Sequence, residues 1–151
     1  MVRIGQAVML LHGGDREEAR NRFGALWSEI GEAGDALHRC TLAHYMADTQ
    51  DDPGDELAWD LRALAAADGL SREGPAARIP AALAVRAFYP ALHLNLAVDY
   101  VKLQRPEAAR VHLARARAAT DALGPGGEGH GGHRQDVRAA ITRLERTLRE
   151  E

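Results

Sequence analysis

Three short segments, each a helix stop followed closely by a helix start, constrain this chain more firmly than any composition figure. In HGGDREEA, Gly13-Gly14 can leave a helix through a left-handed turn. Asp15, with Glu18 three residues on, then has the spacing of a capping box, in which each side chain satisfies an orphan backbone N–H. In QDDPGDELAW, Asp52 stands at an N-cap position and Pro53 at the first helical position. Asp55 and Glu56 follow where the helix dipole favours negative charge. LQRPEAAR repeats the device with Pro106 and Glu107. On either side of each segment apolar residues recur at three- and four-residue spacing, and almost nothing alternates with period two. The expected fold is all-α, with hairpins over about 2–31, 36–68 and 90–123.

Two stretches fall outside that pattern. GLSREGPAARIPAALAVRAFY, with Gly74-Pro75 and Pro80, reads as an insertion over 69–89, a loop and then a helical turn or two packed on the scaffold. GPGGEGHGGH places six glycines in the ten residues 124–133, too costly in backbone entropy for regular structure, and is expected to be a connector. The remaining segment, 134–150, carries Val137, Ile141, Leu144 and Leu148 on one stripe, which suits a helix capping the end of a stack.

At 151 residues the chain has the length of one domain, 1–151. Apolar residues at 46% and charged residues at 27% are close to ordinary soluble usage and suggest neither disorder nor membrane insertion. A net charge of −3 argues against direct binding of nucleic acid, which favours a basic stripe. Cys40 stands alone, so no internal disulfide is possible, and no basic-then-apolar leader precedes VRIGQAVMLL. The expected compartment is the cytoplasm. Lys102 is the one lysine among abundant arginine, alanine and glycine, which reads as the coding bias of a high-GC, bacterial genome.

Aligned by their hinges, the hairpins place Ala19, Ala58 and Ala109 early in the second helix and Ala7, Ala43 and Ala97 in the first. In this pattern the chain resembles the tetratricopeptide repeat, most specifically through NLAVDYVKLQRPEAARVHLARA, with Leu96-Ala97, Tyr100, Ala109, Leu113 and Ala116. The second-helix alanines are 58 − 19 = 39 and 109 − 58 = 51 residues apart, against about 34 in a regular array, so the implied right-handed solenoid is irregular. The resemblance implies a concave groove lined by the first helices, in which an extended peptide or a helix of a partner lies. The groove positions are Leu37, Cys40, Thr41, His44 and Asp48 in the second hairpin and Leu94, Asn95, Val98 and Lys102 in the third. Of the basic and amide groups with which some family members hold a carboxylate, only Asn95 has a counterpart here.

No complete catalytic set is visible, so no enzyme activity and no cofactor are expected. Cys40 and His44, four apart on one helix face, could share a metal, but two ligands do not make a site. His130 and His133 lie in the glycine connector and fit a solvated loop. The acidic run Asp48, Asp51, Asp52, Asp55 and Glu56 lacks the alternating oxygens of a calcium loop. The expected function is a scaffold that holds a partner protein, a peptide or a second copy of itself. The alternative is a small-molecule or metal-binding regulator, or an atypical enzyme, with a polar pocket around Cys40, His44 and His93.

Overall fold

The computed structural model describes residues 2–31, 34–72, 79–122 and 131–150. Among them are seven helices and no strand: α1 Val2–His12, α2 Arg16–Ile30, α3 Ala36–Asp48, α4 Pro53–Arg72, α5 Ile79–Lys102, α6 Pro106–Ala122 and α7 Gly131–Arg149. Where length alone predicts one domain, contacts divide the chain into two compact units, Met1–Gly74 with α1–α4 and Pro75–Glu151 with α5–α7. Most of the expected glycine connector, 124–130, lies outside the described residues, and its end is already the first turn of α7.

The first hinge forms as its sequence dictates. Gly13 N–H donates to Met9 O, Gly14 N–H to Leu11 O and Asp15 N–H to Leu10 O, with Gly14 at φ 92°, a left-handed conformation that glycine adopts without a Cβ clash. Asp15 then caps α2, accepting from Glu18 N–H at 3.3 Å. The capping box is only half made. Asp15 N–H is already spent on Leu10, so the Glu18 carboxylate accepts from Arg22 Nε instead, at 3.0 Å.

The hinge between α5 and α6 repeats the same three bonds without a glycine. Leu103 N–H donates to Asp99 O, Gln104 N–H to Val101 O and Arg105 N–H to Tyr100 O, with Gln104 at φ 59°. Because 104 − 14 = 90, the two hairpins can be compared residue by residue at that offset. Ile4 corresponds to Leu94, Ala7 to Ala97, Ala19 to Ala109, Phe23 to Leu113 and Leu26 to Ala116, and all ten are buried. Alanines at the crossing points let two helix backbones approach closely, and larger residues on either side fill the space beyond them.

The middle hairpin, α3–α4, departs from this. Its connection has no left-handed residue: Thr49 N–H donates to Met46 O and Gln50 N–H to Ala47 O, and Asp52 Oδ2 then accepts from Asp55 N–H at 3.0 Å. In each second helix the carbonyl before the first turn accepts from the residue four on, which is Ala19, Ala109 and, in α4, Glu56. The structural counterpart of Ala19 is therefore Glu56, and the hinge alignment that chose Ala58 is two residues out of phase. Two residues are about 200° around a helix. Ala58 accordingly faces solvent, while Asp60, 2% exposed, takes the place held by Phe23 and Leu113, followed inward by Ala63 and Ala67. Ala63→Leu should lower stability by about 1–3 kcal/mol through overpacking, and Ala58→Leu should change it by no more than about 0.5 kcal/mol. Urea denaturation of the two variants checks the register.

In the first unit the core gathers Ile4, Ala7, Ala19, Phe23, Leu26, Leu42 and Met46. Rings extend it: Phe23 stacks on Tyr45 at 5.9 Å, and Trp27 meets Trp59 edge to face at 5.1 Å. Arg20 reaches from α2 to the C-terminal end of α3, where its Nη2 donates to Thr49 O at 2.6 Å and its guanidinium pairs with Asp51. Arg16 pairs with Asp51 as well, at 3.0 Å. The carboxylates of Asp51 and Asp52 are thus engaged in closing α3 and starting α4.

The second unit is a three-helix assembly. Val137, Ile141 and Leu148 of α7 join Leu94, Ala97, Ala109, Leu113 and Ala116 in one core, with Leu144 packed against it, so the stripe expected to close a stack docks on α6 and α5. Arg117 fixes the contact at its edge through Glu145 at 2.6 Å. Of the expected insertion 69–89, residues 73–78 lie outside the described residues, and the helical part is the start of α5, which runs from Ile79 through Pro90 to Lys102 without a break. A proline inside a helix removes one N–H donor and crowds the preceding turn, at a cost of about 3 kcal/mol. The buried residues that follow, Leu92, Leu94, Leu96 and Ala97, offset it.

Candidate functional site

The residues expected to line a groove divide by depth. In α3, Cys40 is 1% exposed and Thr41 is buried, its hydroxyl donating to Leu37 O at 2.8 Å, so neither offers a surface to a partner. Leu37 is half-buried, and so is His44, whose ring lies against Tyr45 with centroids 5.3 Å apart. Asp48 is exposed at the end of the helix. In α5, Leu94 belongs to the core and Val98 packs against it, Asn95 is half-buried, and Lys102 is exposed in the last turn. Spacing along a helix identifies a face, but which residues of that face reach solvent depends on what packs beside them.

Burial pushes the Cys40 thiol up to about 12. A metal ligand or nucleophile must be thiolate, and this thiol is held neutral across the physiological range. No group of three metal-ligand side chains among the described residues contains Cys40 or His44. Cys40 should therefore resist iodoacetamide at pH 8 in the native protein and react at the rate of a free thiol in urea. The raised value also sets a pH dependence. The folded state holds the thiol proton more tightly than the unfolded chain, so this contribution is complete below pH 9, the ordinary value of the group, and lost as pH rises. Stability should fall above pH 9 by up to about 1.4 kcal/mol per pH unit more in the native protein than in a Cys40→Ala variant.

The second unit brings His93 and Tyr100, each expected from the sequence in another role, together with Tyr89 and His112. Four rings follow one another, Tyr89, His93, His112 and Tyr100, with centroid separations of 6.0, 5.3 and 5.5 Å, the two imidazoles meeting edge to edge. At its centre the Nδ1 atoms of His93, on α5, and His112, on α6, are 3.1 Å apart. One ring must donate and the other accept, so the pair holds a single proton between its facing nitrogens. The signal for this was symmetry about the hinge: His93 lies 102 − 93 = 9 residues before Lys102, and His112 lies 112 − 103 = 9 after Leu103. In a hairpin such residues lie at about the same height, and packing decides whether they face each other.

Burial, and then the charge of Arg115, lower the pKa of His112. With the folded value depressed, the unfolded chain binds this proton more readily, and the contribution to stability is present above pH 6.5 and lost as pH falls below it. The thermal midpoint should drop between pH 7.5 and 5.5 by more in the native protein than in His112→Phe, as calorimetry at the two pH values would register.

Comparison with known proteins returns no matching family model, no matching curated protein and no matching solved structure. What the fold defines is an all-helical protein of hairpins with alanine crossings, in which no described helix is long and apolar enough to cross a membrane.

Proposed function

We propose that this chain is an interaction module of the tetratricopeptide-like kind, holding a segment of a partner protein or of a second copy against its helical hairpins. The observation that carries this reading is the residue-for-residue equivalence of α1–α2 with α5–α6 at an offset of 90, hinge bonds and buried alanines included. Repetition of a supersecondary unit is the mark of scaffolds whose function lies in an extended surface. Each unit offers a surface of its own through its first helices, His44 and Asp48 on α3 in the first unit, and Asn95 and Lys102 on α5 in the second. On α1, Val2 and Met9, 77% and 75% exposed, lie seven apart on one stripe and add apolar area of the sort that anchors a partner.

The polar-pocket alternative loses its principal residue, because Cys40 is a buried neutral thiol. The test is cross-linking followed by mass spectrometry in cells of the native host, with Asp48→Lys, Lys102→Glu and Met9→Asp compared with the unaltered protein. A partner segment cross-linked by the native chain and lost from the variants, at unchanged thermal midpoints, supports the module. Identical cross-links from all four proteins would sink it.

A further inference from the structure

His93 and His112 carry a chemistry that the interaction module does not require. Their ring centroids are 5.3 Å apart and their Nδ1 atoms 3.1 Å, with planes inclined by 22°. The difference, 5.3 − 3.1 = 2.2 Å, is close to the sum of the two distances from centroid to nitrogen within the rings. The two Nδ1 lone-pair directions therefore lie nearly on one line and face each other. Tyr89 stacks on His93 and Tyr100 on His112, so aromatic faces wall the pair. Among the described residues, no third histidine, cysteine or carboxylate joins the two imidazoles in a ligand-sized group.

Two opposed nitrogens can hold a proton, as here, or a cation that accepts two ligands in line. Zinc, nickel and divalent copper take four or more ligands in tetrahedral, square or octahedral arrangements. Monovalent copper and silver, with closed d shells, are satisfied by two donors at 180°. We propose that the His93–His112 pair is a two-coordinate site for monovalent copper, with the two Nδ1 atoms as its ligands and the ion fastening α5 to α6. Metal–nitrogen bonds of about 2 Å place the nitrogens about 4 Å apart, so the rings must separate by about 1 Å through small χ rotations. In the neutral pair one ring carries its proton on Nδ1 and the other on Nε2. On binding, the first proton moves through solvent to Nε2 of the same ring, so the ion enters as copper(I) with no net proton release and no change of oxidation state. The site stands apart from the interaction module, and either can fail alone.

The experiment is anaerobic titration of the full chain with copper(I) in competition with a chromophoric copper(I) chelator, with silver(I) as a redox-inert replicate. The variants are His93→Phe, His112→Phe and the double variant His130→Ala/His133→Ala. One equivalent of copper(I) is expected for the native chain and for the connector variant. Affinity should weaken at least about tenfold in either ring variant, and zinc should not be retained at the same concentration. If a ring variant does not fold, X-ray absorption of the native complex decides: two nitrogen neighbours and no others support the site, and three or more ligands, or sulfur, overturn it. Copper(I) held equally by the ring variants, lost with His130 and His133, or not bound at all would also overturn it.

Discussion

Phe23→Ala should cost the first unit about 3–5 kcal/mol, a large share of the roughly 5–15 kcal/mol by which a domain is usually stable. Phe23 is completely buried between helices, in contact with the cluster of Ile4, Ala7, Leu26, Leu42 and Met46 and stacked on Tyr45 with planes only 6° apart. The loss should lie toward the upper end of that range. Ala7 and Ala19 have no side-chain length with which to collapse into the void, and their backbones are already close. Both tryptophans, Trp27 and Trp59, lie in this unit and touch each other, so fluorescence reads its unfolding directly. The expected result is a urea midpoint well below that of the native chain, with Phe23→Leu, which keeps most of the volume, intermediate. A Phe23→Ala midpoint within error of the native one would show that α1–α2 is not packed as described.

Ile141→Ala should be the most damaging single truncation in α7, at about 2–5 kcal/mol. Ile141 is the fully buried member of the stripe, set among Leu94, Ala97, Leu113 and Ala116 of the preceding hairpin. The rest of α7 is strongly charged, so the helix has little reason to persist once its apolar stripe is undocked. Hydrogen exchange read by mass spectrometry should show protection over 137–148 falling at least about thirtyfold. A parallel rise in exchange is expected over 109–116, the α6 face that α7 covers. Were α7 to exchange rapidly in the native chain already, with Ile141→Ala making no difference, its docking on α6 would not contribute to stability.

The depth at which residues sit explains which parts of this protein could be read from its sequence. Helix starts at Asp15, Asp52 and Pro106 are local affairs, decided by side chains within one turn of the backbone groups they satisfy. The stripe on α7 was equally legible, because a helix that is polar on all other sides has only one face to bury. Ala7, Ala43 and Ala97 were placed correctly for a related reason, since each lies inside a helix whose phase its apolar neighbours fix. The register of α4 was not legible. Its first turn is so rich in polar residues that hydrophobic phase gives no warning that Asp60, and not Ala58, turns inward.

The amino-acid order by itself thus determined an all-α chain, the positions of its hinges, and most of the small residues at its helix crossings, because caps, breakers and periodicity act over a few residues. Tertiary structure decided the rest. It carried α5 through Pro90, where burial on the following turns outweighs a lost hydrogen bond. It took Cys40 and Thr41 from an expected groove into the interior, and it set His93 against His112 across a hinge. Each of these depends on distances between residues far apart in the chain, and no local propensity encodes a distance that only packing fixes.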